Sequence, residues 1–127
     1  MTETTREWVA KADADYRTAC RELQAEEWPN YDATCFHAQQ CVEKLMKGVL
    51  IHYGVTPPKT HDLSWLDQLM RPVCPTWSCS AEDLRFLTRA AVGFRYPGEG
   101  AVREDAEEAV TICTRLRELL RALLPLG

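Results

Sequence analysis

The stretch from Cys35 to Gly54, CFHAQQCVEKLMKGVLIHYG, constrains the fold of this chain more than any other segment. Its apolar residues recur every three or four positions, which is the spacing of one face of an α-helix. That face carries Cys35, Ala38, Val42, Leu45, Met46, Val49 and Tyr53. The opposite side carries His37, Gln40, Lys44 and Gly48, with Glu43 and Lys47 beside them. A long helix of this kind buries its apolar face against other helices.

The rest of the chain predicts further helices, and no alternating run is long enough for a strand. The predicted helices run from about Thr5 to Ala25, from Asn30 or Tyr31 to Gly54, from Thr60 or His61 through Leu69, from Ser80 to about Phe94, and from Arg103 to about Leu124. Proline and glycine separate them. The sequence therefore predicts a single all-α domain over residues 1–127, an up-and-down helical bundle of four main helices plus one short helix.

The charge balance narrows the classes of function. The formal net charge is −4 at pH 7, whereas proteins that coat nucleic acid through phosphate contacts are usually basic. General coating of DNA or RNA is not expected, while a local basic patch or a basic partner protein stays open. No run of about 18 apolar residues is present, and the N-terminus, MTETTREWVA, lacks the features of a signal peptide. We expect a cytoplasmic protein without membrane contact.

The six cysteines are predicted to be reduced structural thiols, because most lie in helical patterns where cysteine behaves as a small apolar residue. Cys74 and Cys79 share a loop and are the pair that oxidation could join. In the long helix only His37 and Cys41 share a face as potential metal ligands. Two ligands do not make a structural zinc site. We therefore expect no metal and no cofactor.

Polar residues in three stretches are candidates for binding. On the long helix Glu43 and Lys47 are four residues apart, in the order that favours an ion pair. The alternative is that this side of the helix simply faces water and has no binding role. The polar side of the helix is bordered by Phe36, Leu50 and Ile51, which indicates a partly covered surface, for instance against another chain.

The other two stretches lie at predicted helix ends. KTHDL, from Lys59 to Leu63, begins a helix, and Thr60 or Asp62 could equally be its cap. In GFRYPGEGA, Arg95 near a helix C-terminus could simply interact with the helix dipole. A guanidinium beside the Tyr96 ring would also suit a phosphate or carboxylate.

Together, CFHAQQCVEKLMKGVLIHYG, PPKTHDL and RYPG before a final acidic helix resemble the HEPN domain family. The resemblance runs from about Tyr31 through the last helix. It implies an up-and-down helical bundle that forms a homodimer in a prokaryotic cytoplasm. It also implies a partner, the minimal nucleotidyltransferase (MNT), with which HEPN proteins often form toxin–antitoxin pairs.

One motif of the family's ribonucleases is missing. HEPN ribonucleases carry an arginine followed four to six residues later by a histidine, and no histidine follows His61 here. The resemblance therefore favours a protein without catalytic residues that binds its partner and a nucleotide or phosphate. The alternative is a metal-independent HEPN ribonuclease toxin with a non-standard active site, using His37 or His61 with Arg95.

The candidate ligand cleft combines all three stretches. His37 and Lys44 share a helix face by their spacing, whereas their convergence with His61 and Arg95 is implied by the resemblance. The full candidate set is His37, Gln40, Lys44, Lys47, His61, Asp62, Arg95 and Tyr96.

Overall fold

The computed structural model describes residues 1–92 and 97–126, and it contains five α-helices and no strand in these ranges. The helices are α1 (Glu3–Gln24), α2 (Tyr31–His52), α3 (Leu63–Met70), α4 (Ala81–Val92) and α5 (Arg103–Arg121). They confirm the predicted all-α class, with ends that differ by a few residues. The last helix ends at Arg121, short of Leu124. The predicted extension of the fourth helix to Phe94 lies outside the described residues.

The central element is α2, which packs against each of the other four helices. It runs parallel to α5, because Asp32 at its start accepts a hydrogen bond from the Ala101 amide and Tyr53 at its end bonds the Leu123 carbonyl. The helices α1 and α4 run the opposite way, and α3 lies in the connection between α2 and α4. This arrangement is the predicted up-and-down bundle with one short extra helix.

Both ends of α2 follow the signals in the sequence. At its start the Asn30 side chain accepts a hydrogen bond from the Ala33 amide at 3.0 Å. At its end Gly54 has a φ of +84°, the left-handed conformation that glycine adopts without strain. The Val55 amide then bonds back to the Leu50 carbonyl at 2.8 Å. These bonds satisfy the free groups of the helix ends and fix its length.

The polar side of α2 is not a solvated back, contrary to one of the two interpretations above. Helix α1 crosses it so closely that a Cβ on Gly48 would lie 3.2 Å from the Trp8 Cβ. Leu50, on the fringe of that side, is fully buried. Part of the predicted cover is thus supplied within the chain, whereas Phe36 on the same fringe stays 37% exposed.

All six cysteines are free thiols. Burial raises the pKa of the Cys35 thiol to about 11 and that of Cys79 to about 12, with nearby carboxylates adding to both. Such thiols stay protonated near neutral pH and react slowly. Among the described residues no helix is long and apolar enough to cross a membrane.

Candidate functional site

A groove runs along the N-terminal half of α2, between that helix and the end of α4. It has two basins of about 450 and 200 Å³, which share Phe36 and Ala91. We call it the α2–α4 groove. Its described lining consists of Asn30, Asp32, Ala33, Phe36, His37, Gln39, Gln40, His61, Ala90, Ala91 and Val92. Apolar and polar side chains are mixed there, as in sites that bind small molecules.

Behind His37, which lines the groove, a buried carboxylate of α1 binds two basic side chains. Asp15 of α1 bonds the His37 Nδ1 through Oδ1 at 2.7 Å and the Lys44 Nζ through Oδ2 at 2.6 Å. The shared face predicted for His37 and Lys44 is therefore present. The carboxylate is almost fully buried, and such groups are stabilised in proteins by this kind of pairing.

A second cluster of the same composition surrounds Glu43. Its Oε2 binds the Lys47 Nζ at 2.9 Å and its Oε1 binds the His61 Nδ1 at 2.9 Å. Gln39 donates a third hydrogen bond to Oε1 at 3.1 Å. Burial alone would raise the pKa of Glu43, but the hydrogen bonds from Gln39, Lys47 and His61 outweigh it and lower that pKa. The ion pair predicted from the spacing of Glu43 and Lys47 is present.

The two clusters give both histidines the same orientation. Each imidazole is held through Nδ1, so its Nε2 lies on the edge away from the carboxylate. No described residue forms a hydrogen bond with either Nε2. The side chains of His61 and His37 are 80% and 30% exposed, so a ligand can reach them. A neutral ring offers Nε2 as an acceptor there, and a protonated ring offers an N–H donor.

The structure separates the sequence candidates into groups. His37, Gln40 and His61 line the α2–α4 groove. The ammonium groups of Lys44 and Lys47 instead form ion pairs with Asp15 and Glu43, between α1 and α2. The Lys47 ammonium also faces the Trp8 ring.

Asp62 serves as the cap of α3, accepting a hydrogen bond from the Ser64 amide at 3.0 Å. It lines a different pocket, with Arg85 and Arg89. The two remaining candidates, Arg95 and Tyr96, lie outside the described residues.

Sequence reasoning missed the residues that organise the site. Asp15 was not a candidate, although it stands three residues after Ala12 and four before Ala19, on the apolar stripe of α1. An acid in such a stripe needs a cationic partner when the stripe is buried. Gln39 was also missed, and its amide holds both Glu43 and the His61 carbonyl.

Within residues 1–92 and 97–126 no group of three or more His, Cys, Asp or Glu side chains is placed to hold a metal ion.

Fold and site together define an all-α bundle protein with carboxylate-held histidines beside a groove. The HEPN domain matches residues 5–123, and the chain belongs to the HEPN domain family.

Two solved structures resemble this fold closely. TT1696 from Thermus thermophilus has a TM-score of 0.77 and is 22% identical, over 97% of this chain and 100% of that one. ST0689, described as an archaeal HEPN homologue, has a TM-score of 0.68 and is 20% identical, over 95% of this chain and 98% of that one. At these identities the likeness shows the fold. No curated protein matches the chain.

Proposed function

We propose that this HEPN protein acts as a cytoplasmic homodimer, binds an MNT-type nucleotidyltransferase in a toxin–antitoxin-type pair, and holds a nucleotide or another phosphate-bearing ligand in the α2–α4 groove. The observation that carries the ligand proposal is the pair of histidines, each bound through Nδ1 to a buried carboxylate and each free at Nε2 among the described residues.

Each cluster would carry a net positive charge with its histidine protonated, and a positive charge favours the binding of an anion. Lys44 already balances the charge of Asp15, so protonation of His37 leaves one positive charge uncompensated. Protonation of His61 likewise leaves one positive charge uncompensated, because Lys47 already balances the charge of Glu43. A phosphate favours the charged form of a nearby histidine and accepts its N–H. Phe36, between the basins, supplies an aromatic ring for a base.

We expect AMP and inorganic phosphate to raise the melting temperature at pH 6. A ligand at about 100 times its Kd stabilises the folded state by about 2.7 kcal/mol. His61→Ala and His37→Ala should each remove most of the shift, because each deletes one Nε2 donor. Differential scanning fluorimetry measures it. His52→Ala is the matched control, since His52 ends α2 away from the groove and its loss should leave the shift intact.

Two results would count against the ligand proposal. One is a melting temperature that neither compound changes up to 10 mM, a concentration on the order of weak phosphate sites. The other is a shift that His52→Ala removes as fully as the groove variants do, which would place the ligand elsewhere.

The partner proposal has its own test. We expect the nucleotidyltransferase encoded beside this gene to co-elute with the tagged protein after co-expression, in fixed stoichiometry by native mass spectrometry. An unrelated nucleotidyltransferase should not co-elute. Separate elution of both proteins at micromolar concentration would contradict the pairing.

The ribonuclease alternative is favoured by one observation, the carboxylate-held imidazole, which is also the arrangement of a general base. Cleavage of RNA in EDTA by the wild type, with loss of cleavage in both His61→Ala and Arg95→Ala, would favour that alternative. We expect little or no cleavage, because the arginine–histidine spacing of HEPN ribonucleases is absent.

A further inference from the structure

The smaller basin of the α2–α4 groove is bordered by two neighbouring glutamines whose hydrogen bonds form a chain. Gln39 Nε2 donates to Glu43 Oε1 and to the His61 carbonyl, at 3.1 Å in both cases. Gln40 Nε2 donates to Gln39 Oε1 at 2.8 Å and to Glu43 Oε1 at 3.4 Å. Both glutamines line the basin, which has a volume of about 200 Å³. The chain of bonds therefore begins at the buried carboxylate and ends in the basin.

The carboxylate determines the direction of every bond in this chain. Despite the burial of Glu43, the hydrogen bonds from Gln39, Lys47 and His61 lower its pKa, so it is ionised near neutral pH and can only accept. The Gln39 atom that faces Glu43 and the His61 carbonyl must be its NH2 group, because both partners are acceptors. The Gln39 oxygen is then the atom that faces Gln40, and it requires a donor. The Gln40 amide must therefore turn its NH2 group to that side.

The amide of Gln40 is left with one unused polar atom, its oxygen. Its NH2 group is engaged by Gln39 and Glu43, and no described residue donates a hydrogen bond to Gln40 Oε1. The side chain is half-buried and lines the basin beside Phe36. A flip of the amide would place its oxygen against two other acceptors and lose two hydrogen bonds. The basin therefore offers a ligand an acceptor whose orientation is set by the protein.

We propose that Gln40 Oε1 recognises the base of the bound nucleotide by accepting an N–H from an exocyclic amino group, such as that of adenine. The inference rests on the nucleotide ligand proposed above and goes further by naming the class of base and the residue that distinguishes it. Phe36 lines both basins, so a base stacked on its ring lies beside Gln40 while the phosphate stays in the groove with His37. A base without that amino group leaves the oxygen unpaired, which weakens binding.

Isothermal titration calorimetry tests this recognition with AMP and purine riboside monophosphate, which is AMP without its amino group. The wild type should bind AMP about 10-fold more tightly, the equivalent of one hydrogen bond. Gln40→Met should bind both nucleotides equally, because methionine has a similar length and lacks the oxygen. Gln68→Met is the matched control. Gln68 is exposed on α3 and lines neither basin, so its loss should leave the 10-fold preference unchanged, a factor of the same order.

A second variant tests the role of Gln39 as a positioning residue. Gln39→Met removes the acceptor that holds the Gln40 NH2 group, so the Gln40 amide is freer to turn. The preference for AMP should fall, while the affinity for purine riboside monophosphate changes little. A purely structural loss would instead weaken the binding of both nucleotides to the same extent. Circular dichroism and the melting temperature of each variant show whether it is folded.

The outcomes separate this inference from the proposal on which it rests. A wild type that binds neither nucleotide overturns both. A wild type that binds the two nucleotides equally leaves the nucleotide proposal standing and overturns the recognition of the amino group. A preference for AMP that persists in Gln40→Met overturns Gln40 as the residue that accepts the amino group.

Discussion

Replacement of Glu43 by alanine should lower the free energy of unfolding by about 3–5 kcal/mol, the usual cost of removing one partner of a buried ion pair. The Lys47 side chain is only 9% exposed, so its ammonium would be left inside the bundle without its carboxylate. His61 and Gln39 would lose their acceptor in the same step. Urea denaturation followed by circular dichroism measures the change.

Two further variants identify the cause. Glu107→Ala removes the partner of Arg103 in an exposed pair of the same spacing, and its effect should be small because water replaces the contact. Glu43→Leu combined with Lys47→Met should recover much of the loss, since apolar side chains of similar size then fill the space. A Glu43→Ala protein as stable as Glu107→Ala would refute the buried-pair interpretation.

Acid should reveal the same interaction. The pKa of Glu43 is lowered from the ordinary value of 4.5, so the folded state favours the ionised carboxylate. That contribution is complete at pH values above 4.5 and is lost as the pH falls through the lowered pKa. The stability difference between wild type and Glu43→Gln should therefore shrink on acidification from pH 6 to pH 3, values of the order expected for carboxyl titration.

Gly48→Leu should destabilise the bundle by about 1–3 kcal/mol or more through overpacking. Even a Cβ at this position would lie 3.2 Å from Trp8 and 3.8 Å from the Thr5 carbonyl, so a leucine forces α1 and α2 apart. The melting temperature and the urea midpoint should both fall. Gly48→Ala should be close to neutral, because the tight contact opposes a gain in helix propensity of about 1 kcal/mol.

The control for this prediction is Ala10→Leu, another small-to-large change in a helix. Ala10 is exposed on α1, so the added side chain meets only solvent. Equal melting temperatures for Gly48→Leu and Ala10→Leu would mean that the two helices do not approach at Gly48.

Local signals were enough to predict the helices. Asn30, Gly54 and the Pro57-Pro58 pair mark ends that are fixed by backbone chemistry within a few residues, and the structure has those ends. The environment of α2 could not be predicted in this way. Periodicity separates its apolar and polar faces, but it does not show that α1 covers the polar face. Gly48 on that face was a sign, because glycine inside a helix often marks a close crossing.

The candidate site shows the same limit. His37 and Lys44 were placed on one face by spacing alone, whereas Asp15, which binds both, lies on another helix. A contact between residues distant in sequence depends on how helices pack, and one sequence contains no direct measure of that. The lysines therefore looked like ligand contacts, although their ammonium groups lie on carboxylates of the protein itself.

The contacts at the C-terminal end of α2 determine where a label or a fused domain can be attached to this protein. Thr5 lies beside Gly48, and the Leu123 carbonyl accepts a hydrogen bond from the Tyr53 hydroxyl, so the first turn of α1 and the segment after α5 both lie near the C-terminal end of α2. The α2–α4 groove lies along the N-terminal half of the same helix. A biotin, a fluorophore or a fused domain attached before α1 or after α5 would therefore lie at the end of the bundle opposite the groove. Surface-tethered binding experiments can use both ends of the chain without masking the surface under study.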